Sequence, residues 1–434
     1  MFSSKKLILL AAIFVAAFAV ANLILLELHK LGFLFHYIPS WPINVFGPAD
    51  VSLVYRVLVS LAILVAFFFA ERLLDARDYR FPLTLACGFI LIVGSNLIQG
   101  FEAGFVDPIT EDEFNDEYTP QYYHDAVAIS DPVAFFKTYN AIQPTLHMHA
   151  RTHPPGPLLL FYALIKTIRA PALMSLLIAA LATSVSAFFF HKLLLTILPP
   201  RAAGLTTFLF LLLPSVQIYY LVTVDALIAA LLLGVFCCFT RAHLITSIAL
   251  LTLAFMLTFL SAWIVPVLVG YELMTRRSVA RSSMLIAAVA AIYLAIYFAS
   301  GFNFIESFRT ASRIENEHGF ILMHQPLDYF VSRLQSIGEL ILFFGPFLCV
   351  LFVRSVRRSD IGTWLALGSF ALMLAAGTFR VGETARACNF LYPFLLLPIA
   401  RFLNERKSEA GSKQLLWLVF GQTVVMQVAG SYFW

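Results

Sequence analysis

Residues 7–26 read LILLAAIFVAAFAVANLILL, an apolar stretch without a charged residue. A helix needs about 20 such residues to cross the hydrocarbon core of a bilayer. The stretch continues to Leu28, whereas the apolar part of a cleaved signal peptide is only about 7–15 residues long. We therefore interpret it as an uncleaved first transmembrane helix, preceded by Lys5 and Lys6.

The composition of the whole chain has the same character. Hydrophobic residues make up 60% of the 434 and charged residues 12%, against about 45–50% and about 25% in a soluble domain. The alternation of apolar and polar residues that is typical of a membrane β-barrel is absent. The sequence predicts an all-α integral membrane protein. Its net charge of +4 lies mostly in short loops between spans and indicates no nucleic-acid partner.

Thirteen segments are candidate transmembrane helices, and Lys and Arg clusters between them set the orientation by the positive-inside rule. We interpret 156–168 as a helix lying in the outer interface, because it is too short for a span. Residues 244–273 are predicted to form a hairpin, because Arg241 and Arg276 at its two ends both belong in the cytoplasm. The predicted spans are 7–28, 51–70, 81–98, 172–190, 202–221, 224–239, 244–256, 262–273, 284–299, 334–353, 361–377, 387–402 and 415–433.

This threading divides the chain into three parts. Residues 1–100 form a three-helix membrane segment, and residues 101–170 form a large extracytoplasmic loop with the interfacial helix. Residues 171–434 form a helical core with outer loops at 301–333 and 378–386. Polar residues collect in these outer loops, which are therefore the candidate functional regions.

The first outer loop has an acidic part followed by a basic part. Nine carboxylates and no Lys or Arg lie between residues 102 and 131. The basic part ends in Thr152-His153-Pro154-Pro155-Gly156-Pro157, so His153 is expected just ahead of a helix amino terminus. Cations and free backbone N–H groups there favour a phosphate. The basic residues are Lys137, His147, His149, Arg151 and His153.

Further candidates lie next to later spans. Arg380, Glu383 and Arg386 precede the span at 387–402, and Glu383 and Arg386 share a helical face as a functional or a purely structural pair. Asp225 opens another span, either as a helix cap or with a functional role. The spacing of the histidines matches no zinc template, and the five cysteines show no metal-ligand spacing. No metal site is predicted.

These loop motifs resemble those of GT-C-type glycosyltransferases, in particular the branch with protein O-mannosyltransferases and lipid A aminoarabinose transferases. The resemblance rests on Asp116-Glu117-Tyr118, His153-Pro154-Pro155 and Asp225. It covers most of the chain from residue 101 to about residue 392. The chain departs from the family pattern by having two extra spans before the first large loop. A second acidic pair, Asp112 and Glu113, leaves the identity of the base open.

The resemblance implies an inverting transfer of a sugar from a polyprenyl-phosphate donor to a lipid, glycan or protein acceptor. The reaction would occur at the extracytoplasmic face of a bacterial or archaeal cell membrane, in contact with membrane lipids. Asp116 or Glu117 would be the base, and Arg380 or Arg386 would contact the phosphate together with His153, the motif histidine. Arg151 is a phosphate candidate from its position alone, and a need for a divalent cation stays open. Supporting residues are Tyr118, Asp125, His149, Asp225 and Glu383.

The alternative from another class is a multi-pass transporter or lipid flippase. Such proteins commonly place ionisable residues near the bilayer midplane, within broken helices. Here the predicted midplane is nearly free of charge, and Glu339 in the span at 334–353 is the exception. The concentration of charge in the outer loops favours the transferase.

Overall fold

A computed structural model describes most of the chain as helices. No β-strand occurs among the described residues, which confirms the all-α class for this part of the chain. Short 3-10 turns occur at Leu97–Gln99, Gln143–Thr145, Phe259–Trp263, Ile321–Met323 and Asn389–Leu391. The described residues are 4–34, 51–110, 122–221, 223–317, 319–377, 382–406, 409–430 and 432.

The α-helices of this part of the chain follow one another through short connections. The first nine are α1 (Ser4–Lys30), α2 (Leu53–Ala76), α3 (Phe81–Asn96), α4 (Phe101–Phe105), α5 (Asp107–Thr110), α6 (Tyr123–Val127), α7 (Pro132–Ile142), α8 (Met148–Arg151) and α9 (Gly156–Thr167). The next seven are α10 (Pro171–Leu194), α11 (Pro200–Leu211), α12 (Pro214–Tyr219), α13 (Val224–Thr240), α14 (Leu244–Leu257), α15 (Ile264–Arg276) and α16 (Ala280–Ser300). The last seven are α17 (Phe304–Glu315), α18 (Pro326–Phe344), α19 (Pro346–Ser355), α20 (Ile361–Ala375), α21 (Thr384–Ala387), α22 (Tyr392–Arg406) and α23 (Glu409–Ala429).

Five of the described helices are long and apolar enough to cross a membrane: α1, α2, α3 with its following turn, α10 and α16. A sixth is added if α18 and α19, which are bent by 95° relative to each other, count as one span. Helices α9, α13, α14 and α20 are apolar but shorter. These helices fit a multi-pass membrane protein, while the number of thirteen spans stays a prediction.

The predicted hairpin at 244–273 is present. The chain breaks at the 3-10 turn Phe259–Trp263, where the Thr258 hydroxyl accepts the backbone N–H of Leu260 at 3.2 Å. Phe236, near the end of α13, packs against Tyr271, near the end of α15, with ring centroids 5.3 Å apart. Because α14 starts just after α13 ends, α15 must return to the end from which α14 departed. The two helices therefore run in opposite directions.

Two predicted spans are broken helices. The apolar stretch at 202–221 divides into α11 and α12 just before Pro214, and the stretch at 334–353 divides at Gly345. Gly345 has a φ of 101°, which is unfavourable for a residue with a side chain. The Gln422 side-chain amide donates to the Leu342 carbonyl at 2.7 Å, which compensates a backbone acceptor near the bend. Proline and glycine thus divide the apolar stretches.

Connections that the sequence assigns to the cytoplasm meet at one end of the molecule. Asp75 in the last turn of α2 accepts hydrogen bonds from Arg201 at 2.9 Å and from Lys413 at 2.7 Å. A cavity of about 320 Å³ lies between these residues and the end of α22. On α22, Arg401 pairs with Asp360, which precedes α20. These connections therefore lie at one end of the described structure, and their cytoplasmic location stays a prediction.

Candidate functional site

The described part of the chain contains a buried ion-pair cluster centred on Arg386. The Arg386 side chain is 8% exposed, and its Nε atom lies 3.3 Å from an Asp225 carboxylate oxygen. Its Nη2 atom lies 3.8 Å from a Glu383 carboxylate oxygen, so the i, i+3 pair expected from the sequence is present. Burial alone would lower the pKa of Arg386, but the surrounding groups, Glu383 and Asp225 first among them, together raise it. The guanidinium is therefore permanently charged.

The turn that carries Arg386 is fixed by Glu339 of α18. Glu339 is 1% exposed, and its carboxylate accepts the backbone N–H groups of Gly382 and Thr384, the latter at 3.0 Å. Both carboxylate oxygens thus accept hydrogen bonds, which compensates the removal of this charge from water. Glu339, which the sequence left as an unexplained charge within a span, positions the turn of Glu383 and Arg386.

His153 lies beside the same cluster, at the junction of α8 and α9. Its Nδ1 atom lies 2.8 Å from the carbonyl oxygen of His149, so this nitrogen must carry the proton. The ring of Tyr122 lies edge-on to the imidazole, with centroids 5.7 Å apart. The Tyr139 hydroxyl donates to the carbonyl oxygens of Ala150 and His153. The two tyrosines therefore fix the ring and the backbone at this junction.

The charge state of His153 differs from the cationic role predicted for it. Burial lowers the pKa of His153, and the nearby carboxylates of Asp225 and Glu383 raise it by less. The imidazole is therefore neutral at pH 7, and its Nε2 atom is a hydrogen-bond acceptor. A phosphate next to this nitrogen would add negative charge and favour the protonated form.

The start of α9 requires glycine because of a close approach to α14. A Cβ atom added at Gly156 would lie 2.1 Å from the carbonyl oxygen of Met256. Pro155 occupies the N-cap position and provides no side-chain hydrogen bond. A helix is thus present at the predicted position 156–168 as α9, with its amino terminus packed against the tip of the α14–α15 hairpin, while its location in the membrane interface stays a prediction.

Asp125 and Arg151 are the next two predicted residues of the first loop, and both lie near the backbone of α8. The Asp125 carboxylate accepts the backbone N–H of His147 at 3.0 Å and pairs with its Nδ1 atom at 2.8 Å. Asp125 therefore joins α6 to α8. Gln143 donates to the carbonyl oxygen of Arg151 at 2.9 Å, and the buried Arg151 Nε atom has no hydrogen-bond partner in the part of the chain that the structure describes.

Two positional arguments made from the sequence need correction. Asp225 is not the cap of α13, because the Thr223 side chain accepts the Ala226 N–H at 3.4 Å in that role. Arg151 and Arg386 do not lie at the amino terminus of a long helix, because α9 starts only at Gly156 and α22 only at Tyr392. Any binding of phosphate by these arginines therefore depends on their own charge rather than on a helix terminus.

Several predicted residues lie outside the described residues. These are the acidic pair Asp116 and Glu117 with Tyr118, and Arg380 of the 378–386 loop. Among the described residues, no group of three or more His, Cys, Asp or Glu side chains is arranged to hold a metal ion. The described part of the site therefore consists of His153, Asp225, Glu383 and Arg386.

Sequence reasoning missed the aromatic and backbone partners of this site. Tyr122 is 5% exposed and lies close enough to Arg386 for an electrostatic interaction. Tyr139 and Glu339 hold the backbone on the two sides of the cluster. Tyrosines next to a membrane commonly form an interfacial aromatic belt, and only the position of Tyr122 and Tyr139 near the His-Pro-Pro motif could have indicated another role.

Comparison with known proteins gives no match. No family model, curated protein or solved structure matches the chain. The resemblance to GT-C-type glycosyltransferases therefore rests on the loop motifs, and it stays a prediction.

Proposed function

We propose that the chain is a membrane glycosyltransferase that moves a sugar from a polyprenyl-phosphate donor to an acceptor on the extracytoplasmic side. The observation that carries the proposal is the convergence of His153, Asp225 and Arg386 from three distant parts of the chain. Each of the three residues is a candidate from its sequence position alone. A buried cation beside carboxylates and a histidine is the chemistry that phosphate departure and proton transfer need.

The proposed reaction is an inverting displacement at the anomeric carbon. The acceptor's hydroxyl or amine attacks this carbon and forms the new bond, and its proton passes to a carboxylate base, Asp116 or Glu117. The bond between the anomeric carbon and the phosphate oxygen breaks, and its electron pair leaves with the polyprenyl phosphate. This leaving group needs positive charge and N–H donors rather than a second carboxylic acid. The two-carboxylate arrangement of hydrolytic glycosidases is not required.

Arg386 already has two counter-charges, which limits how it meets a phosphate. Asp225 and Glu383 balance its charge in the absence of donor. A phosphate would have to displace one carboxylate, or bring further positive charge to the site. Arg151 and Arg380 are the protein's own sources of that charge, and a divalent cation would have the same effect. The donor is therefore expected to rearrange the ion pairs of Arg386.

The proposed orientation places the amino terminus in the cytoplasm and the 101–170 loop outside. It predicts that Asp131→Cys reacts with an impermeant thiol reagent from the extracytoplasmic side and Arg358→Cys from the cytoplasmic side. Both positions are exposed. Labelling of intact cells and of inverted vesicles measures this directly. Reaction of both positions from the same side would contradict the threading.

One observation favours the transporter alternative. Glu339 is a buried carboxylate on α18, which is bent by 95° relative to α19, and broken helices with ionisable groups are common in transporters. However, both oxygens of Glu339 accept backbone N–H groups, which fits an anchor better than a site that binds and releases ions. We therefore keep transport as the second candidate.

The function is tested with the full chain in proteoliposomes that contain polyprenyl-phosphate sugars labelled in the sugar. A panel of hexoses and pentoses covers the unknown sugar, and a membrane lipid extract supplies acceptors. We expect release of free polyprenyl phosphate together with transfer of the label to a new product. Movement of the labelled donor between leaflets without its cleavage would instead indicate a flippase. No release with any member of the panel would contradict the transferase.

A further inference from the structure

Helix α17 starts directly beyond the end of a membrane-length helix. Gly301, with a φ of 80°, ends α16 in a left-handed conformation. Asn303 then starts α17, because its side-chain oxygen accepts the backbone N–H groups of Ile305 and Glu306 at 3.1 Å each. Only residues 301–303 separate the two helices. The first turn of α17 must therefore lie close to the level at which α16 leaves the apolar layer.

One face of α17 is fixed against the rest of the protein. The Phe304 ring packs on Phe255, Phe259 and Tyr293, at the ends of the neighbouring helices, with ring centroids 4.7–5.8 Å apart. Gln143 donates to the carbonyl oxygen of Ser307 at 3.1 Å. These contacts fix the orientation of α17, because they attach one side of the helix to neighbouring helices and to the first outer loop. The side chains on its other faces therefore point away from this packed side.

The other faces of α17 are amphipathic and exposed. Ile305 is 62% exposed and Phe308 is 50% exposed, and both lie on the flank next to the packed face. Arg309 and Arg313 share a further face at i, i+4 spacing, and both are exposed. The exposed Glu306 lies on the same face one turn earlier, so two arginines stand there against one carboxylate. Neither arginine has an ion-pair partner within the described ranges of the chain. An apolar flank beside a cationic face is the pattern of a helix that lies in a membrane interface.

We infer that α17 is a lipid-binding interfacial helix that docks on anionic headgroups. Ile305 and Phe308 enter the boundary of the acyl chains, while Arg309 and Arg313 contact lipid phosphates. The continuity with α16 and the charge complementarity favour a lipid surface over a protein partner. This inference does not depend on the proposed function. It has a consequence for the site, because Glu315 in the last turn of α17 is close enough to His153 to influence its charge.

The apolar flank is tested by photocrosslinking in the full chain. Benzoylphenylalanine is introduced at position 305 or 308, and at position 306 on the polar face as the control. After reconstitution into nanodiscs and illumination, mass spectrometry identifies the adducts. We expect lipid adducts from positions 305 and 308 and none from position 306. Crosslinks to a second copy of the chain, or equal lipid adducts from all three positions, would overturn the inference.

The cationic face is tested in nanodiscs of mixed phosphatidylcholine and phosphatidylglycerol. The measured quantity is the ratio of phosphatidylglycerol to phosphatidylcholine adducts from position 308. An arginine near an anionic surface favours anionic lipid about fivefold, so Arg309→Gln and Arg313→Gln should each lower this ratio by about that factor. The matched control is the double variant Arg276→Gln and Arg277→Gln, which changes two exposed arginines at the carboxy-terminal end of α15. A ratio that is equal in all variants would exclude headgroup binding by α17.

Discussion

Replacing Arg386 with alanine should weaken both the folded state and the binding of a polyprenyl-phosphate donor. The substitution leaves the carboxylates of Asp225 and Glu383 in a largely buried site without their counter-charge. Loss of one partner of a buried ion pair typically costs about 3–5 kcal/mol. Loss of a charge-assisted contact to phosphate costs about 1.5–3 kcal/mol, which corresponds to roughly 10- to 150-fold weaker binding. Thermal unfolding in detergent and equilibrium binding of a polyprenyl-phosphate sugar measure the two effects.

A matched variant separates these two effects. Arg401→Ala removes a partly buried arginine that pairs with Asp360 at the other end of the molecule. It should lower the unfolding temperature and leave donor binding unchanged. Arg386→Lys should keep part of the binding because the positive charge is retained. If Arg386→Ala binds the donor as tightly as the unchanged chain, Arg386 does not contact the phosphate.

The sequence predicted helices well where polar residues or helix breakers mark their ends. The predicted spans at 224–239 and 361–377 correspond to Val224–Thr240 and Ile361–Ala375. Hydropathy does not report a bend within an apolar stretch, so the division at Gly345 was missed although Gly-Pro is a known break signal. Helix α18 also starts at Pro326, eight residues before the predicted span, because its first turns are amphipathic. Hydropathy thus located the apolar middle of each helix better than its ends.

The candidate site was predicted as a set of residues and not as a set of contacts. Loop position and residue type were enough to select Asp225 and Arg386, because charges next to apolar helices are rare and functional residues collect in loops. The pairing between them joins positions far apart in the chain, and no local pattern reports which helices are neighbours. The same limit explains Glu339, whose backbone partners follow it by more than forty residues. Its role could only emerge from the fold.

The contacts of the described carboxylates narrow the choice of base. Protonation of Asp225 would leave the buried Arg386 with one counter-charge fewer. Asp125 is engaged with the imidazole and the backbone of His147. Glu339 is committed to backbone N–H groups. Each of these carboxylates holds part of the structure, so a base that must gain and lose a proton in every turnover is better sought in the acidic pairs of the first loop.

Substituting the base by its amide should therefore lower turnover by about 100- to 10,000-fold while leaving donor binding nearly intact, because general-base catalysis typically contributes that factor. The variants are Asp116→Asn and Glu117→Gln, and initial rates of donor cleavage together with donor affinity measure the effect. Asp131→Asn is the matched control: Asp131 caps α7 by accepting the Val133 N–H at 2.8 Å, and asparagine caps equally well. Near-full activity of both variants would move the assignment of the base to Asp112 or Glu113. If the amide variants of all four residues, Asp112, Glu113, Asp116 and Glu117, keep full activity, the base does not lie in these acidic pairs and the proposed transferase mechanism is contradicted.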